Sequence, residues 1–122
     1  MPQLILHLIG DYITQSDWMA KGKTSSSWIA AIHATAYALP FRFLGSWWAV
    51  LFIAASHFFV DRFRLARFVV FAKNHMGWHR PPSWEDCRAT GYPSDVPPWM
   101  AVWLLIIADN TIHLICNYVA LR

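Results

Sequence analysis

Three pairs of histidine and aspartate are the residues in this sequence best suited to chemistry. They are His7 with Asp11, His57 with Asp61, and Asp109 with His113. Each pair is spaced by four residues, which places both side chains on one face of a helix. A further histidine, His33, stands alone in another apolar stretch. Imidazole and carboxylate together are ligands of divalent transition metals, so the pattern predicts a metal site.

The surroundings of these seven residues strengthen that prediction. They lie within apolar stretches, where an unpaired ionised group costs at least several kcal/mol. Coordination of a metal would offset this cost. Seven ligands are too many for one tetrahedral ion, but they suit two ions bridged by a carboxylate, as in helical di-iron bundles. We therefore predict one or two ions of Zn, Fe or Mn.

Such a site would support hydrolysis. A bound divalent ion can lower the pKa of water to about 7, which makes water a nucleophile at neutral pH. Asp11, Asp61 and Asp109 are the candidate catalytic residues, because a carboxylate not fully used in coordination can act as general base. Neighbouring polar side chains are expected to orient the ligands: Gln15, Asn110 and Asn117, with Tyr37 and Ser56 as further candidates.

Two other interpretations of the same residues stay open. Histidine and aspartate spaced by four can hydrogen-bond each other and hold helices together within a membrane. Buried Asp and His also form the paths along which protons or cations cross membranes. Neither of these interpretations needs a metal ion.

The residues that could do chemistry are carried by four apolar segments, at about 2–18, 26–39, 44–72 and 98–121. We predict an all-α fold, an integral membrane bundle of four short transmembrane helices in a single domain, 1–122. The stretch at about 73–97 is rich in Pro, Gly and polar residues, which favours a long loop. The first two segments have only about 15 apolar residues, fewer than the roughly 20 of a full crossing.

Composition supports a membrane protein. Of the 122 residues, 57% are hydrophobic and 14% are charged, against about 25% charged in an ordinary soluble domain. This argues against a disordered chain, a nucleic-acid-binding protein and an ordinary soluble enzyme. The motifs of serine hydrolases, P-loop proteins, zincins and dinucleotide-binding enzymes do not occur in the sequence.

The basic residues predict an orientation. Most lie in the first and third predicted loops: Lys21, Lys23, Arg62, Arg64, Arg67, Lys73, Arg80 and Arg88. The opposite side has only Arg42 and Arg122. Positive charge favours the cytoplasm, so we predict an inner-membrane protein of a bacterium with cytoplasmic basic loops and both termini outside.

Two weaker patterns lie near the long loop. His75 and His79, close to Cys87, could bind zinc, although Pro and Gly would break the helix that aligns them, so solvated side chains are expected. The arginines at 62, 64 and 67 could bind a lipid headgroup or a substrate phosphate. An interfacial basic helix on anionic lipid explains them equally well.

The motifs also resemble a known family. HLIGDYITQSDWMAKGK, HFFVDRFR and DNTIHL, with the lone histidine of AAIHATAY between them, are similar to an uncharacterised domain family of small membrane proteins from bacteria and phages. The resemblance covers nearly the whole chain. It implies a polytopic membrane protein of bacterial or phage origin and brings no established activity. In type only, the pattern is similar to membrane-bound metal-dependent hydrolases.

Together these observations predict a membrane-embedded, metal-dependent hydrolase that acts on a lipid or a lipid-linked phosphate or ester. Its partners would be the lipid bilayer and such a substrate, without nucleic acid, and a homo-oligomer is plausible because four short helices enclose little volume. The alternatives are a small transporter or proton or cation conduit, and a phage or bacterial interaction protein that docks onto a membrane complex.

Overall fold

The fold is taken from a computed structural model that describes residues 1–76 and 81–122. Within these ranges the regular structure is entirely helical and contains no strand. The predictions made for His79 and Arg80 lie outside the described residues.

The described residues form seven α-helices, a π-helical turn and a 3-10 turn. The α-helices are α1 (Pro2–Leu8), α2 (Asp17–Gly22), α3 (Ser27–Ala38), α4 (Trp47–Phe63), α5 (Leu65–His75), α6 (Trp84–Cys87) and α7 (Pro98–Ala120). The π-helical turn, Ile9–Ile13, continues α1, and the 3-10 turn, Leu39–Phe43, continues α3.

The predicted bundle of four transmembrane helices is wrong. Among the described residues, only α7 is both long and apolar enough to cross a membrane. The other apolar segments are divided into shorter helices; α3 has 12 residues and α4 has 17. At 1.5 Å per residue, twelve residues reach about 18 Å, well short of a hydrocarbon core of about 30 Å.

The first apolar segment is interrupted by the π-helical turn. The amide of Thr14 donates to the carbonyl of Ile9, five residues earlier, and the hydroxyl of Thr14 donates to the Gly10 carbonyl. The chain then leaves the helix, and Ser16 caps α2 by accepting a hydrogen bond from the amide of Met19. Hydrophobic patterning alone does not reveal such a wider turn, because it keeps the apolar run intact.

The third apolar segment is divided at Arg64. This residue has φ 52° and ψ 49°, the left-handed conformation, and it is the one residue other than glycine with positive φ in the described chain. A left-handed residue cannot continue a right-handed helix. Helix α4 therefore ends at Phe63 and α5 starts at Leu65, where the sequence predicted a helix through residue 72.

Two compact units make up the described chain. The first comprises Met1–Phe63 and Ile112–Arg122, and the second comprises Arg64–Thr111. The hydrophobic core of the first unit has five fully packed members: Tyr37, Ala38, Phe41, Val50 and Ile53. They come from α3, the 3-10 turn and α4, so these elements form the scaffold of this unit. The prediction of a single domain stays a prediction.

The second unit has a small core around α5. Ala66 and Val70 are buried on this helix, and Phe68 stacks on Trp84 of α6 with ring centroids 4.8 Å apart. Gly91, at φ +85°, passes so close to α5 that a Cβ atom there would lie 2.3 Å from the Arg67 carbonyl oxygen. Both its conformation and this close approach require glycine.

The outer surface of the protein is strongly apolar. Large side chains such as Phe43, Trp48 and Ile13 are 77–90% exposed. Only 11% of the most apolar window in α7 is buried, whereas the core helix of a soluble domain would be mostly buried. Within residues 1–76 and 81–122, α7 is therefore the one helix whose length and composition suit a membrane crossing.

Candidate metal centre

Six of the seven predicted ligands lie in the first unit, and its elements bring them into its interior. The side chains come from α1, the π-helical turn, α3, α4 and the last part of α7: His7, Asp11, His33, His57, Asp61 and His113. All six are buried, and none is more than 8% exposed. The helices converge because their apolar faces pack around Tyr37 and Ile53.

Four ligand atoms form the centre of this cluster. The Nε2 atoms of His33 and His57 lie 3.0 Å apart. Asp11 Oδ1 lies 3.4 Å from the first and 3.3 Å from the second. Asp61 Oδ2 lies 3.3 Å from His33 Nε2 and 3.1 Å from His57 Nε2. Each carboxylate oxygen therefore faces both imidazoles.

These separations fit a metal ion. Zinc binds imidazole nitrogen and carboxylate oxygen at about 2.0–2.2 Å, so tetrahedral ligand atoms are about 3.3–3.6 Å apart by simple geometry. The observed separations of 3.0–3.4 Å are close to this range. The buried His and Asp groups are thus positioned to hold a metal ion, with His33, His57 and Asp61 as one such group and Asp11, His57 and His113 as another.

The hydrogen bonding of the carboxylates points the same way. Asp11 Oδ1 and Asp61 Oδ2 are buried, yet neither accepts a hydrogen bond of good geometry from the described part of the chain. Buried polar atoms are normally hydrogen-bonded, and an exception can mark an ion site. Both exceptions are the very oxygens that face His33 and His57. The donor set and Asp11 Oδ1 both fit a cation, and Asp61 Oδ2 already lies 2.9 Å from the ammonium group of Lys23.

The second oxygen of each carboxylate faces another histidine. Asp11 Oδ2 lies 3.4 Å from His7 Nδ1, and Asp61 Oδ1 lies 3.3 Å from His113 Nε2. Each aspartate can therefore connect the central imidazole pair to an outer imidazole. This arrangement suits either one ion with the outer histidines supporting the carboxylates, or two ions with a bridging carboxylate.

Tyr37 links the outer ligands to the scaffold. Its hydroxyl accepts a 2.6 Å hydrogen bond from Asn117 Nδ2 and lies 2.8 Å from His7 Nδ1. Its ring stacks on the imidazole of His57 with centroids 3.8 Å apart. Burial raises the pKa of Tyr37 above its usual range, so the hydroxyl keeps its proton. Tyr37 and Asn117 therefore lie beside the candidate ligands, and their role in orienting these ligands stays a prediction.

Electrostatics keep both aspartates ionised. Burial alone would raise the pKa of each carboxyl, but the adjacent imidazoles outweigh it. His33 and His57 lower the pKa of Asp11 below its usual range, and His113, His33 and His57 do the same for Asp61. Burial also opposes the charge of His33, yet Asp11 and Asp61 raise its pKa. The cluster thus holds two carboxylates in the charged form that binds metals.

Sequence reasoning missed one member of the site, Lys23. Its Nζ lies 2.9 Å from Asp61 Oδ2, and its side chain is only 18% exposed. In the sequence it is indistinguishable from Lys21, since both belong to the same short basic stretch. Both belong to the basic residues that predict the orientation in the membrane. Only the fold separates them.

Other predicted site residues have different surroundings. Asp109 and Asn110 are half-buried and belong to the second unit, with Asp109 one turn before His113 on α7. Gln15 follows the π-helical turn, and its buried Oε1 accepts no hydrogen bond from the described residues. The hydroxyl of Ser56 donates its proton to the Ile53 carbonyl of its own helix, and a role in orienting a ligand stays a prediction.

The weaker patterns fall in the second unit. His75 Nδ1 lies 2.9 Å from the Phe71 carbonyl oxygen, and Cys87 is buried as a free thiol. Neither belongs to a metal-binding group found among the described residues. The guanidinium groups of Arg64 and Arg67 donate to the carbonyls of Ala89 and Arg88. These hydrogen bonds therefore connect the start of α5 to the loop after α6.

Comparison with known proteins finds one family model that matches this chain. The family model of DUF3307, described as a protein of unknown function, matches residues 1–81. The chain therefore belongs to this uncharacterised family, and the expectation of an uncharacterised domain family is confirmed. The match does not reach the third motif, DNTIHL, so the motifs and the membrane nature of the family stay predictions. No curated protein and no solved structure matches the chain. The matched residues include five of the buried ligands: His7, Asp11, His33, His57 and Asp61.

Proposed function

We propose that this protein is a membrane-bound, metal-dependent hydrolase that acts on a lipid or a lipid-linked phosphate or ester. One observation supports it above the others. Two imidazole nitrogens lie 3.0 Å apart in the interior of the first unit, and each of two carboxylate oxygens lies 3.1–3.4 Å from both nitrogens. Purely structural histidine–aspartate pairs would not need side chains from three elements, the π-helical turn, α3 and α4, to meet at one point.

In this proposal His33, His57, Asp11 and Asp61 hold the first ion. His7 and His113 either support the two carboxylates or contribute to a second ion. The ion, which we propose to be Zn, Fe or Mn, would supply a Lewis acid and lower the pKa of water. Tyr37 and Asn117 hold His7 in place, and Tyr37 also packs on His57. Asp11 and Asp61 are the candidate bases of the first unit, and Asp109 remains the candidate of the second.

A location in the bacterial inner membrane is part of the proposal. The apolar and mostly exposed α7 and the exposed tryptophans around the protein support it. A lipid substrate follows from this location, because a lipid in the bilayer reaches a membrane-bound site directly. The predicted orientation placed both termini outside because it assumed an even number of membrane crossings. It stays a prediction, and so does homo-oligomerisation.

The test starts with metal content. Protein purified in detergent without chelator is expected to contain close to one or two equivalents of Zn, Fe or Mn by mass spectrometry. Less than a tenth of an equivalent of any transition metal would overturn the proposal. The metal-loaded protein should then release phosphate or fatty acid from a panel of phospholipids and lipid phosphates. This activity should disappear in His57→Ala and persist in His75→Ala, which changes a histidine outside the cluster.

One observation favours the conduit as a second candidate. Close contacts connect titratable groups continuously from His7 through Asp11, His57 and Asp61 to Lys23. Such a chain can pass protons. Proton flux in proteoliposomes that needs His57 but no metal would support the conduit and count against the hydrolase.

A further inference from the structure

Two lysines close together in the sequence have opposite surroundings. Lys21 on α2 pairs with Asp17, and both side chains are 77–79% exposed. Lys23, just beyond the end of α2, turns inward and brings its ammonium group to 2.9 Å from Asp61 Oδ2. A surface pair such as the first contributes little to stability. The second pair places a positive charge beside the candidate metal centre.

The chain around Lys23 is fixed in this position. A Cβ atom on Gly22 would lie 2.3 Å from the side chain of Ile29, so the backbone here packs directly on α3. Arg62 donates from Nη1 to the Thr24 carbonyl and from Nε to the Ser27 hydroxyl. The residue that follows Asp61 thus holds the segment that carries Lys23. The packing of Gly22 and the hydrogen bonds of Arg62 therefore hold Lys23 in contact with Asp61.

The atom that Lys23 contacts is also a candidate ligand. Asp61 Oδ2 is the oxygen that faces the Nε2 atoms of His33 and His57. A metal ion bound to this oxygen and the ammonium group would be positive charges a few ångströms apart, and they would repel each other. The ammonium group and the ion therefore compete for Asp61.

We propose, on the basis of the metal centre put forward above, that Lys23 is a built-in competitor of the metal ion. When the ion takes Asp61, Lys23 is released and binds a phosphate group of the substrate. Lys23 would thus act as a positioning residue in the metal-free protein and as a binding residue in the loaded one.

Charge balance explains why the released lysine would bind an anion. Among the groups of the first unit, with the imidazoles neutral, the carboxylates of Asp11 and Asp61 and the ammonium group of Lys23 sum to a charge of minus one without metal. A divalent ion changes this to plus one. The excess positive charge then lies next to Lys23, with the guanidinium of Arg62 fixed nearby. A phosphate group supplies the negative charge that this arrangement lacks.

The first experiment measures metal affinity. Full-length wild type, Lys23→Met, Lys23→Arg and Lys21→Met are titrated with Zn²⁺ against a competing chelator in detergent. K23M is expected to bind Zn²⁺ at least tenfold more tightly than wild type. K23R keeps the competing charge, and K21M removes an exposed one, so both should stay within about threefold of wild type. If K23M does not fold without metal, Lys23→Gln is measured in its place.

The outcomes separate the two proposals. Equal or weaker Zn²⁺ binding by K23M, in a wild type that does bind Zn²⁺, would overturn the role of Lys23 alone. A wild type that binds no metal would overturn this role together with the proposed hydrolase. A rise in the thermal midpoint on Zn²⁺ addition that is larger in K23M than in wild type would support competition without any activity assay.

The second experiment addresses the phosphate. Zn²⁺-loaded wild type, K23M and K21M are titrated with inorganic phosphate and, separately, with detergent micelles that contain phosphatidic acid. K23M should weaken the binding of both probes at least fivefold, while K21M leaves it unchanged. Tighter binding of phosphatidic acid than of inorganic phosphate would identify a lipid headgroup as the source, and equal binding would identify free phosphate. Binding of both probes that is unchanged in K23M would overturn the phosphate role.

Discussion

The imidazoles of His33 and His57 meet with their Nε2 atoms 3.0 Å apart, although 24 residues separate them along the chain. Two neutral imidazoles can make this contact only if one nitrogen carries a proton and the other accepts it. A metal ion bound by both nitrogens removes that restriction. Because a carboxylate oxygen from Asp11 and another from Asp61 face the same pair, this contact is the point at which the metal proposal can be tested most directly.

Removing either central imidazole should abolish metal binding. We expect His33→Ala and His57→Ala to lower Zn²⁺ affinity more than about 100-fold, since loss of groups that merely support ligands already costs about 10- to 100-fold. His75→Ala is the matched control, because this histidine contacts the Phe71 carbonyl in the second unit. Mass spectrometry of purified variants and chelator competition measure the effect. Full metal occupancy in both central variants would contradict the assignment.

Removing the side chains that support the candidate ligands should lower the metal affinity less than removing the ligands themselves. Tyr37→Phe removes the hydroxyl that contacts His7, and Asn117→Leu removes the hydrogen bond that holds this hydroxyl. We expect Zn²⁺ affinity to fall about 10- to 100-fold. Ser56→Ala should leave it unchanged, because that hydroxyl bonds its own helix. Zn²⁺ titration of the three variants measures these changes in affinity. An effect of S56A as large as that of Y37F would show that the ranking is wrong.

Gly10 should not tolerate a larger residue. A Cβ atom there would lie 2.4 Å from the ring of Tyr37, whereas at Gly45 it would meet the mobile end of Leu121 at 2.8 Å. Since an aromatic ring that is held by hydrogen bonds cannot move aside, Gly10→Ala should lower the free energy of unfolding by about 1–3 kcal/mol. Gly45→Ala should cost less. Thermal melts in detergent compare the two, and equal midpoints would contradict the packing described for Tyr37.

Metal-free and metal-loaded protein should respond to pH in opposite directions near neutrality. The pKa of His33 is raised by its contacts, so its contribution to the stability of the metal-free protein is present below its unfolded pKa of about 6.5. That contribution is lost as the pH rises through the raised value. Metal binding instead weakens on acidification, because imidazole must be neutral to bind an ion. Thermal midpoints from about pH 6 to 8 should therefore fall without metal and rise with it.

Thermal midpoints measured at acidic pH test the two aspartates in the same way. The pKa values of Asp11 and Asp61 are lowered, so their contribution is present above the unfolded pKa of about 4 and is lost as the pH falls toward the lowered values. The metal-free protein should thus be most stable between about pH 4 and 6.5. A midpoint without metal that climbs steadily from pH 6 to 8 would contradict the pairing of His33 with the two carboxylates.

Membrane insertion should depend on α7. Ile107, near the middle of this helix, is 57% exposed, and a lysine at such a depth costs about 2.5–3.5 kcal/mol in membrane insertion. Ile107→Lys should therefore reduce the fraction of protein that resists carbonate extraction. Trp99→Lys, at the start of the helix, should reduce it little, because a lysine there reaches the interface. Similar extraction of both variants and wild type would argue against α7 as the anchor.

The sequence predicted the buried His/Asp cluster better than it predicted the helices. Spacing by four placed His7 with Asp11 and His57 with Asp61, and the structure brings both pairs into one cluster. Spacing is a local property, so it survives errors in the overall architecture. The four-span bundle failed because a count of apolar residues does not register a left-handed residue such as Arg64 or a widened turn. Lys23 stayed hidden because its difference from Lys21 arises only from tertiary packing.

The π-helical turn at Ile9–Ile13 carries a further consequence. A turn of this kind is equivalent to an α-helix with one residue inserted, and such insertions are frequent at functional sites. Removal of a single residue from this turn would let an ordinary α-helix form while rotating the downstream backbone by about 100°. Asp11 would then leave the cluster, although the core around Phe41 would be untouched. A one-codon deletion would thus separate the helical scaffold of this chain from its candidate metal centre.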